Sequence, residues 1–135
     1  MNYIHGYCTV TPKGVRLNGT RCFVPDPEHF PMRDFFAAAY RCLQIDYRKF
    51  YKMDALSKLG FLASEWLLKG FDREQPKEDM GIVLFNRGAS LEADAAYQET
   101  IRDEENFFPS PAEFVYTLPN IVTGEIRRPD RKSVV

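Results

Sequence analysis

The sequence predicts a single α/β domain, and three local patterns carry that prediction. Asn18-Gly19 lies between two short strand-like pieces, which indicates a β-hairpin over residues 15–24. Residues 53–68 carry an apolar stripe wider than one narrow face, which is typical of a mostly buried helix. The apolar run 81–85 precedes a glycine turn and a helix, and this order is typical of one α/β half-unit.

Length and composition narrow the class of protein. The 135 residues fit one domain, and a chain of this size buries a sizeable core without a disulfide or a metal. The 18 basic and 19 acidic side chains give a formal net charge of −1, which excludes a strongly cationic nucleic-acid-binding protein. No apolar run approaches the roughly 20 residues that a membrane helix needs.

The amino terminus and the cysteines predict a cytoplasmic protein without a metal or cofactor. The first ten residues contain no basic residue followed by an apolar stretch, so we expect no signal peptide. Cys8, Cys22 and Cys42 are then expected to be reduced thiols. They form no CxxC pair, and the chain has only two histidines, so a zinc site is not expected.

The first half of the chain predicts strands, then a loop and a helix. In residues 3–10 the side chains alternate between two faces with a period of two, which predicts a strand. The turn-forming segment 11–14 is expected to end this strand. Three prolines between residues 25 and 31 favour an extended loop, and a short helix is expected over 33–43. In residues 46–52 rings alternate with cations; we expect the rings inward and the cations in water. The alternative is a surface for an acidic partner or a phosphate-bearing arm.

The second half predicts a helix, a buried strand and further helices. Asp54 is expected to cap the helix 53–68, and Gly70 to end it before a charged loop at 71–79. Residues 81–86 are expected to form a strand buried on both faces. Ser90 is then expected to cap a helix over 90–104.

The segment 107–126 predicts a helix with an interruption. Ser110 is expected to cap a helix over 111–125, with Pro111 at its first position. Pro119 must kink that helix or start a new turn, because proline lacks the backbone N–H. The loop 86–90 presents N–H groups at a helix start and so could hold an anion, but an ordinary capped turn is the simpler interpretation.

The residues alone indicate no catalytic set. Phosphate-binding glycine loops, G-x-S-x-G and H-E-x-x-H are all absent from the sequence. Cys8 is interpreted as a buried structural thiol. His5 lies in the expected first strand and His29 in the proline loop, and neither adjoins a Cys or Ser. We therefore predict no catalytic, metal-binding or cofactor-binding residue.

Three stretches, taken in order, resemble the amino-terminal half of β-ketoacyl-acyl-carrier-protein synthases. They are residues 52–63 (KMDALSKLGFLA), 81–94 (GIVLFNRGASLEAD) and 107–126 (FFPSPAEFVYTLPNIVTGEI). The resemblance is nearest to the short, divergent synthase-like proteins of pigment and aryl-polyene gene sets. The motif residues, to which it assigns structural roles, are Met53, Asp54, Ser57, Lys58, Asn86, Ser90, Pro109, Ser110, Pro111, Asn120, Gly124 and Glu125.

This resemblance implies a partial thiolase-like layered fold over residues 1–126. It also implies a role in fatty-acid or polyketide-type biosynthesis, such as that of aryl polyenes or flexirubin-like pigments. Catalytic members place a nucleophilic Cys downstream of the segment matching 120–126 and two His in the second half of the fold. The three cysteines of this chain match none of those positions, and residues 127–135 depart from the pattern as a basic tail. A non-catalytic protein is therefore expected.

The resemblance also implies partners. Condensing enzymes of this fold associate in pairs, so we expect another synthase-like subunit, in a homo- or heterodimer, with acyl carrier protein as a further partner. A weakly soluble or partner-dependent protein follows, since a half-fold should expose an apolar face. Three alternatives remain open: an inactive truncated fragment of a longer 3-oxoacyl-ACP synthase, an enzyme with residual thioesterase or acyl-transfer activity through Cys8 or Ser110, and an unrelated small binding module.

Overall fold

The computed structural model describes residues 1–25, 31–69 and 81–127, and these form a mixed α/β structure with one small sheet. His29, Gly70, the loop 71–79 and residues 128–135 lie outside the described residues. Within them the elements are β1 (Cys8–Thr11), β2 (Gly14–Leu17), β3 (Thr20–Phe23), α1 (Met32–Cys42), a 3₁₀ helix (Arg48–Lys52), α2 (Ala55–Leu67), α3 (Leu91–Ile101), α4 (Pro111–Tyr116) and α5 (Ile121–Ile126).

The sheet is antiparallel, in the order β1-β2-β3, and it confirms the predicted hairpin. Asn18 and Gly19 have φ of 51° and 83°, the positive values that a type I′ turn needs. The first strand begins at Cys8, later than the predicted residue 3. Its ladder is limited by β2, which is four residues long, so residues 3–6 have no opposite strand in this sheet.

Gly14, the first residue of β2, adopts a backbone conformation that the turn between β1 and β2 requires. Its φ is +130°, a region that side chains other than glycine rarely adopt. A Cβ at this position would lie 2.2 Å from the carbonyl oxygen of Phe23 on β3. The glycine therefore permits β2 and β3 to approach each other at the bulge between Val15 and Arg16.

Helix α2 lies at the centre of the packing, and its existence and cap were predicted. It contacts β1, α1 and α5. The Asp54 carboxylate accepts the N–H of Ser57 at 3.0 Å, which satisfies one of the free donors of the first turn. The buried face is made by Phe61, Leu62 and Trp66, whereas Leu59, an apolar residue within the predicted helix 53–68, is exposed.

Aromatic rings from the 3₁₀ helix and α1 complete this core. The Phe50 ring stacks on Tyr40 with centroids 4.3 Å apart. The expectation of inward rings is confirmed for Phe50, but Tyr51 is exposed. The buried core consists of Val15, Phe35, Phe36, Ala39, Tyr40, Leu43, Phe50, Met53, Phe61, Leu62, Trp66, Ala93 and Tyr116.

The predicted buried strand at 81–86 is wrong. In the structure these residues have no regular secondary structure and every one of them is exposed. A strand needs a neighbouring strand to supply its ladder of hydrogen bonds, and the described sheet is built entirely from residues 8–23. Residues 81–85 are apolar as the sequence shows, but an apolar sequence does not specify which strand will pair with it.

The helices of the last third follow the prediction with two corrections. Helix α3 ends at Ile101, before the predicted 104, because the Asp103 carboxylate accepts the Glu105 N–H at 3.0 Å and forms a local turn. Ser90 occupies the N-cap position, but its hydroxyl donates to Asp94 instead of capping the backbone. The predicted interruption at Pro119 is confirmed, since α4 and α5 are separate helices on either side of it.

Among the described residues, no helix combines the length and apolar character needed to cross a bilayer.

Candidate functional site

A cleft of about 220 Å³ opens where three separate parts of the chain meet. Its walls come from the start of α2, the turn that precedes α3, and the junction between α4 and α5. We call it the junction cleft. It is lined by Asp54, Leu56, Leu84, Asn86, Ala89, Ser90, Tyr116, Leu118, Pro119, Ile121 and Val122.

One polar corner of the junction cleft is the turn 86–90. The Asn86 side chain accepts the Gly88 N–H at 2.9 Å and donates to the Ala89 carbonyl at 2.7 Å. These two bonds hold the turn together although Ala89 has a positive φ of 47°. The turn leads directly into α3, and Asn86 and Ser90 therefore face the cleft on a short, internally bonded segment.

The opposite wall is formed by α4 and α5. Ser110 caps α4 by accepting the Glu113 N–H at 3.3 Å, and Pro111 occupies the first helical position, as predicted. Tyr116 is buried at the end of α4. Burial raises the pKa of Tyr116 to about 12, with smaller contributions from the carboxylates of Glu125 and Asp54, so its phenol is neutral at physiological pH.

An ion pair between a half-exposed lysine and a buried glutamate connects α5 to the 3₁₀ helix. The Lys49 ammonium donates to Glu125, whose side chain is almost fully buried. From the sequence, Glu125 is identified only as a motif residue, and Lys49 only as one of the cations of residues 46–52. The sequence contains no signal for this pair, because 76 residues separate its members.

A second groove, of about 500 Å³, adjoins the junction cleft across Asp54. It runs between the start of α2 and the start of α3, and it is lined by Phe36, Leu59 and Leu91 among others. Asp54, Leu56, Asn86, Ala89 and Ser90 belong to both openings. The two openings therefore form one continuous depression in the surface.

The structure brings some of the twelve motif residues together and leaves others apart. Asp54, Asn86 and Ser90 line the junction cleft, and Asn120 lies between Pro119 and Ile121, which also line it. Met53 and Ser57 are buried in the core. The remaining motif residues do not line the cleft: Lys58, Pro109, Ser110, Pro111, Gly124 and Glu125.

The candidate nucleophiles lie away from this cleft and lack activation. Cys8 is half-buried in β1, and burial, with a smaller contribution from Cys22, raises the pKa of its thiol. A raised pKa lowers the thiolate fraction, and the thiolate is the nucleophile. Cys42 is exposed, and His5 lies in the exposed segment before β1. The Ser110 oxygen is occupied by its capping bond. In the described ranges, no cluster of His, Cys, Asp or Glu is suited to a metal ion.

Beside the junction cleft lies an exposed apolar segment that was expected to be buried. Residues 82–85 are Ile-Val-Leu-Phe, and their exposed fractions are 36%, 76%, 38% and 91%. Leu84 lines the cleft, and Leu118 stands on the wall across from it, also partly exposed. The apolar run indicated a buried role, and the structure shows that the described part of this chain does not bury it.

Comparison of the chain with protein-family models, with curated proteins and with solved structures gave no match.

Proposed function

We propose that this chain is a β-ketoacyl-ACP synthase-like protein of fatty-acid or polyketide-type biosynthesis, non-catalytic as it stands, which acts as the partner of a condensing enzyme. Aryl polyenes or flexirubin-like pigments are the proposed products. A thiolase-like layered arrangement and a cytoplasmic location are part of the same proposal.

The observation that carries the proposal is the junction cleft. The three stretches that resemble the synthases are far apart in sequence, yet each contributes to its walls: Asp54 from the first, Asn86 from the second and Tyr116 from the third. A chance likeness in three unconnected stretches gives no reason for them to meet. Because the three stretches meet around one depression, we infer that they have a common origin with the synthases and that they form one functional site in this chain.

The chemistry of the nucleophiles supports a non-catalytic role. The Cys8 thiol has a raised pKa and sits in a strand away from the cleft. The Ser110 oxygen caps a helix, and a serine needs an adjacent base to act as a nucleophile. What the cleft offers is a concave surface on which apolar side chains alternate with the polar groups of Asp54, Asn86 and Ser90, and such a mixed surface is suited to binding.

The experiment combines this protein with the condensing enzymes encoded in its own genome. We expect one of them to co-elute with the chain and to change its condensation rate when the chain is added. Leu118→Asp, which puts a charge on the cleft wall, should abolish both effects. Ile4→Asp, at an apolar position that is 87% exposed outside the cleft, should not. If no condensing enzyme binds the wild-type chain, the proposal is wrong.

A second assay addresses the non-catalytic part. The wild-type chain is incubated with radiolabelled acyl carrier protein, and we expect no transfer of label. Labelling that disappears in Cys8→Ala or Ser110→Ala would establish an acyl-transfer enzyme instead.

An unrelated small binding module is the second candidate, and the sheet favours it. The described sheet is a three-stranded antiparallel meander, and the run 81–86 does not belong to it. Under this reading the depression is still a binding site, but the chain binds no condensing enzyme, so the first experiment distinguishes the two candidates.

A further inference from the structure

A third opening, of about 220 Å³, lies between α3 and α4, next to the end of the 3₁₀ helix and the start of α2. We call it the α3–α4 opening. Asp54 and Tyr116 line it and also line the junction cleft, so the two openings meet at these side chains. The Tyr97 ring of α3 packs on Phe114 of α4, with ring centroids 5.4 Å apart, and holds the two walls together. Walls held in this way need little ordering when a ligand binds.

Acidic side chains dominate the charge of the α3–α4 opening. Asp54, Glu92 and Glu113 each contribute a carboxylate, Lys52 contributes an ammonium, and together they leave a formal charge of −2. In the described ranges, neither Glu92 nor Glu113 forms an ion pair. Both lie in the first turn of a helix, where a carboxylate favours the helix dipole, but that role does not require them to face one opening. A concave surface of one charge attracts ligands of the opposite charge.

A buried phenol gives an independent indication of a ligand. Tyr116 is only 7% exposed, and its side chain lines the opening. Among the described residues, its hydroxyl has no hydrogen-bond partner, and the carboxylates of Asp54 and Glu113 act on it through charge. Buried polar groups in proteins are normally hydrogen-bonded, so this hydroxyl is available to a ligand. Because the phenol is neutral at physiological pH, its oxygen can accept an N–H.

Small apolar side chains accompany the carboxylates on both walls. Ala93 and Ala96 belong to the α3 wall, and Ala112 belongs to the α4 wall. Their methyl groups make van der Waals contact with hydrocarbon and offer no hydrogen bond. The two glutamates come from different walls, Glu92 from α3 and Glu113 from α4. A ligand that matches this surface therefore has separate positive charges joined by short hydrocarbon links.

We propose that the α3–α4 opening binds a linear aliphatic polyamine. Its ammonium groups donate to the carboxylates of Glu92 and Glu113, one of its N–H groups donates to the Tyr116 hydroxyl, and its methylene groups lie against the alanines. The volume of about 220 Å³ is below the roughly 300–1,000 Å³ of sites for drug-sized ligands, which fits a ligand of this thin shape. The proposal goes beyond the proposed function and does not depend on it.

Isothermal titration calorimetry with a series of probes tests the class of ligand. We expect spermidine to bind at low salt at one site per chain, with a Kd of roughly 0.1–1 mM for so small a ligand. Putrescine, which has one charge fewer, should bind roughly 2–5-fold more weakly, and butylamine weaker again by the same factor. Butanediol, which has the length of putrescine but no charge, should not bind. Magnesium chloride should displace spermidine no better than sodium chloride of equal ionic strength.

Charge variants test whether these carboxylates hold the ligand. Glu92→Gln and Glu113→Gln should each weaken the binding of spermidine by roughly 2–5-fold, because each removes one carboxylate from the opening. Asp94→Asn is the matched control, since it removes a charge from the same turn of α3 but does not line the opening, and it should leave the Kd unchanged. Lys52→Gln should strengthen binding by roughly 2-fold, because it removes the competing ammonium.

Shape variants test the place of the ligand. Ala96→Leu fills space on the α3 wall and should weaken spermidine binding by at least about 10-fold. Ala95→Leu, the same change at a neighbouring exposed position that does not line the opening, should have no effect. Tyr116→Phe removes the hydroxyl and should weaken binding by about 3-fold, the size of one hydrogen bond, without lowering the melting temperature at pH 7.

Circular dichroism checks that each variant is folded, which is expected because every changed side chain except that of Tyr116 is exposed. The proposal is overturned if spermidine at millimolar concentration does not bind, or if butanediol or magnesium binds as well. Equal losses in Ala95→Leu and Ala96→Leu, or in Asp94→Asn and Glu92→Gln, would place the ligand elsewhere and overturn it too. Failure here leaves the condensing-enzyme experiment unaffected, because Leu118 does not line the α3–α4 opening.

Discussion

Replacing Phe50 by alanine tests whether the aromatic core holds the fold together. Phe50 has no exposed surface, its ring stacks on Tyr40, and it lies 5.5 Å from the ring of Phe61. Truncation removes this buried ring and leaves a cavity between α1 and α2. Buried Phe→Ala changes cost about 3–5 kcal/mol, and the lost stacking places this one near 4 kcal/mol. That is a large part of the roughly 5–15 kcal/mol by which a domain is stable.

Urea unfolding, followed by the fluorescence of the single tryptophan, measures this loss. Trp66 belongs to the same core, so its emission reports on the same transition. At a slope of roughly 2 kcal/mol/M, the midpoint should fall by about 2 M, with the slope unchanged. The matched control is Phe108→Ala, the same substitution at a side chain that is 79% exposed, and it should cost less than about 0.5 kcal/mol.

A loss below about 1 kcal/mol, or one equal to that of Phe108→Ala, would refute the placement of Phe50 in the core. If Phe50→Ala is unfolded without denaturant, Phe50→Leu supplies a graded version. It should cost about 1–1.5 kcal/mol, because it keeps most of the volume and loses the stacking.

Three further outcomes are expected from the helices around the junction cleft. Gly60→Val should destabilise the chain by about 2 kcal/mol, because even a Cβ at this position would lie 3.0 Å from Val122. The control is Gly124→Ala, which has open space around it and should be neutral or stabilising by up to about 1 kcal/mol. Both free energies of unfolding are measured in the same urea assay. Asp54→Ala should cost about 1 kcal/mol by loss of the α2 cap, and Asp54→Asn, which can still accept the bond, should restore most of it. The folded-state pKa of Tyr116 is raised from 10.0 to about 12, so the contribution of its neutral phenol to stability is complete below pH 10 and is lost as the pH rises through 12. Because Tyr116→Phe removes this titration, the melting temperature of the variant should fall less between pH 10 and pH 12.

The elements that depend only on interactions between residues close in sequence were predicted correctly. The Asn18-Gly19 turn needs only two residues with positive φ, and the sequence supplies both. The Asp54 cap and the Ser110-Pro111 start each depend on bonds within four residues. The break at Pro119 follows from one missing N–H. These predictions succeeded because no distant part of the chain had to be known.

Predictions that depended on distant contacts were less successful. The run 81–86 was assigned to a buried strand because apolar content reports a tendency to be covered, while the covering surface lies elsewhere. The predicted apolar stripe of α2 contained both Phe61 and Leu59, and the position of α1 and the 3₁₀ helix decided that Phe61 is buried while Leu59 is exposed. The junction cleft could not be found from the sequence either, since its walls meet only after folding.

The close contact of α2 with α5 sets an order of events during synthesis of the chain. Gly60 lies against Val122 and Ile126, so the part of α2 around Gly60 cannot be covered until residues 121–126 have left the ribosome. At roughly 5–20 residues per second, some 3–13 s pass between the synthesis of these two parts. During that interval α2 can pack on β1 and α1, which are already made, while its other side stays exposed. The nascent chain therefore presents the α5-facing side of α2 to solvent for seconds before the residues that cover it are made.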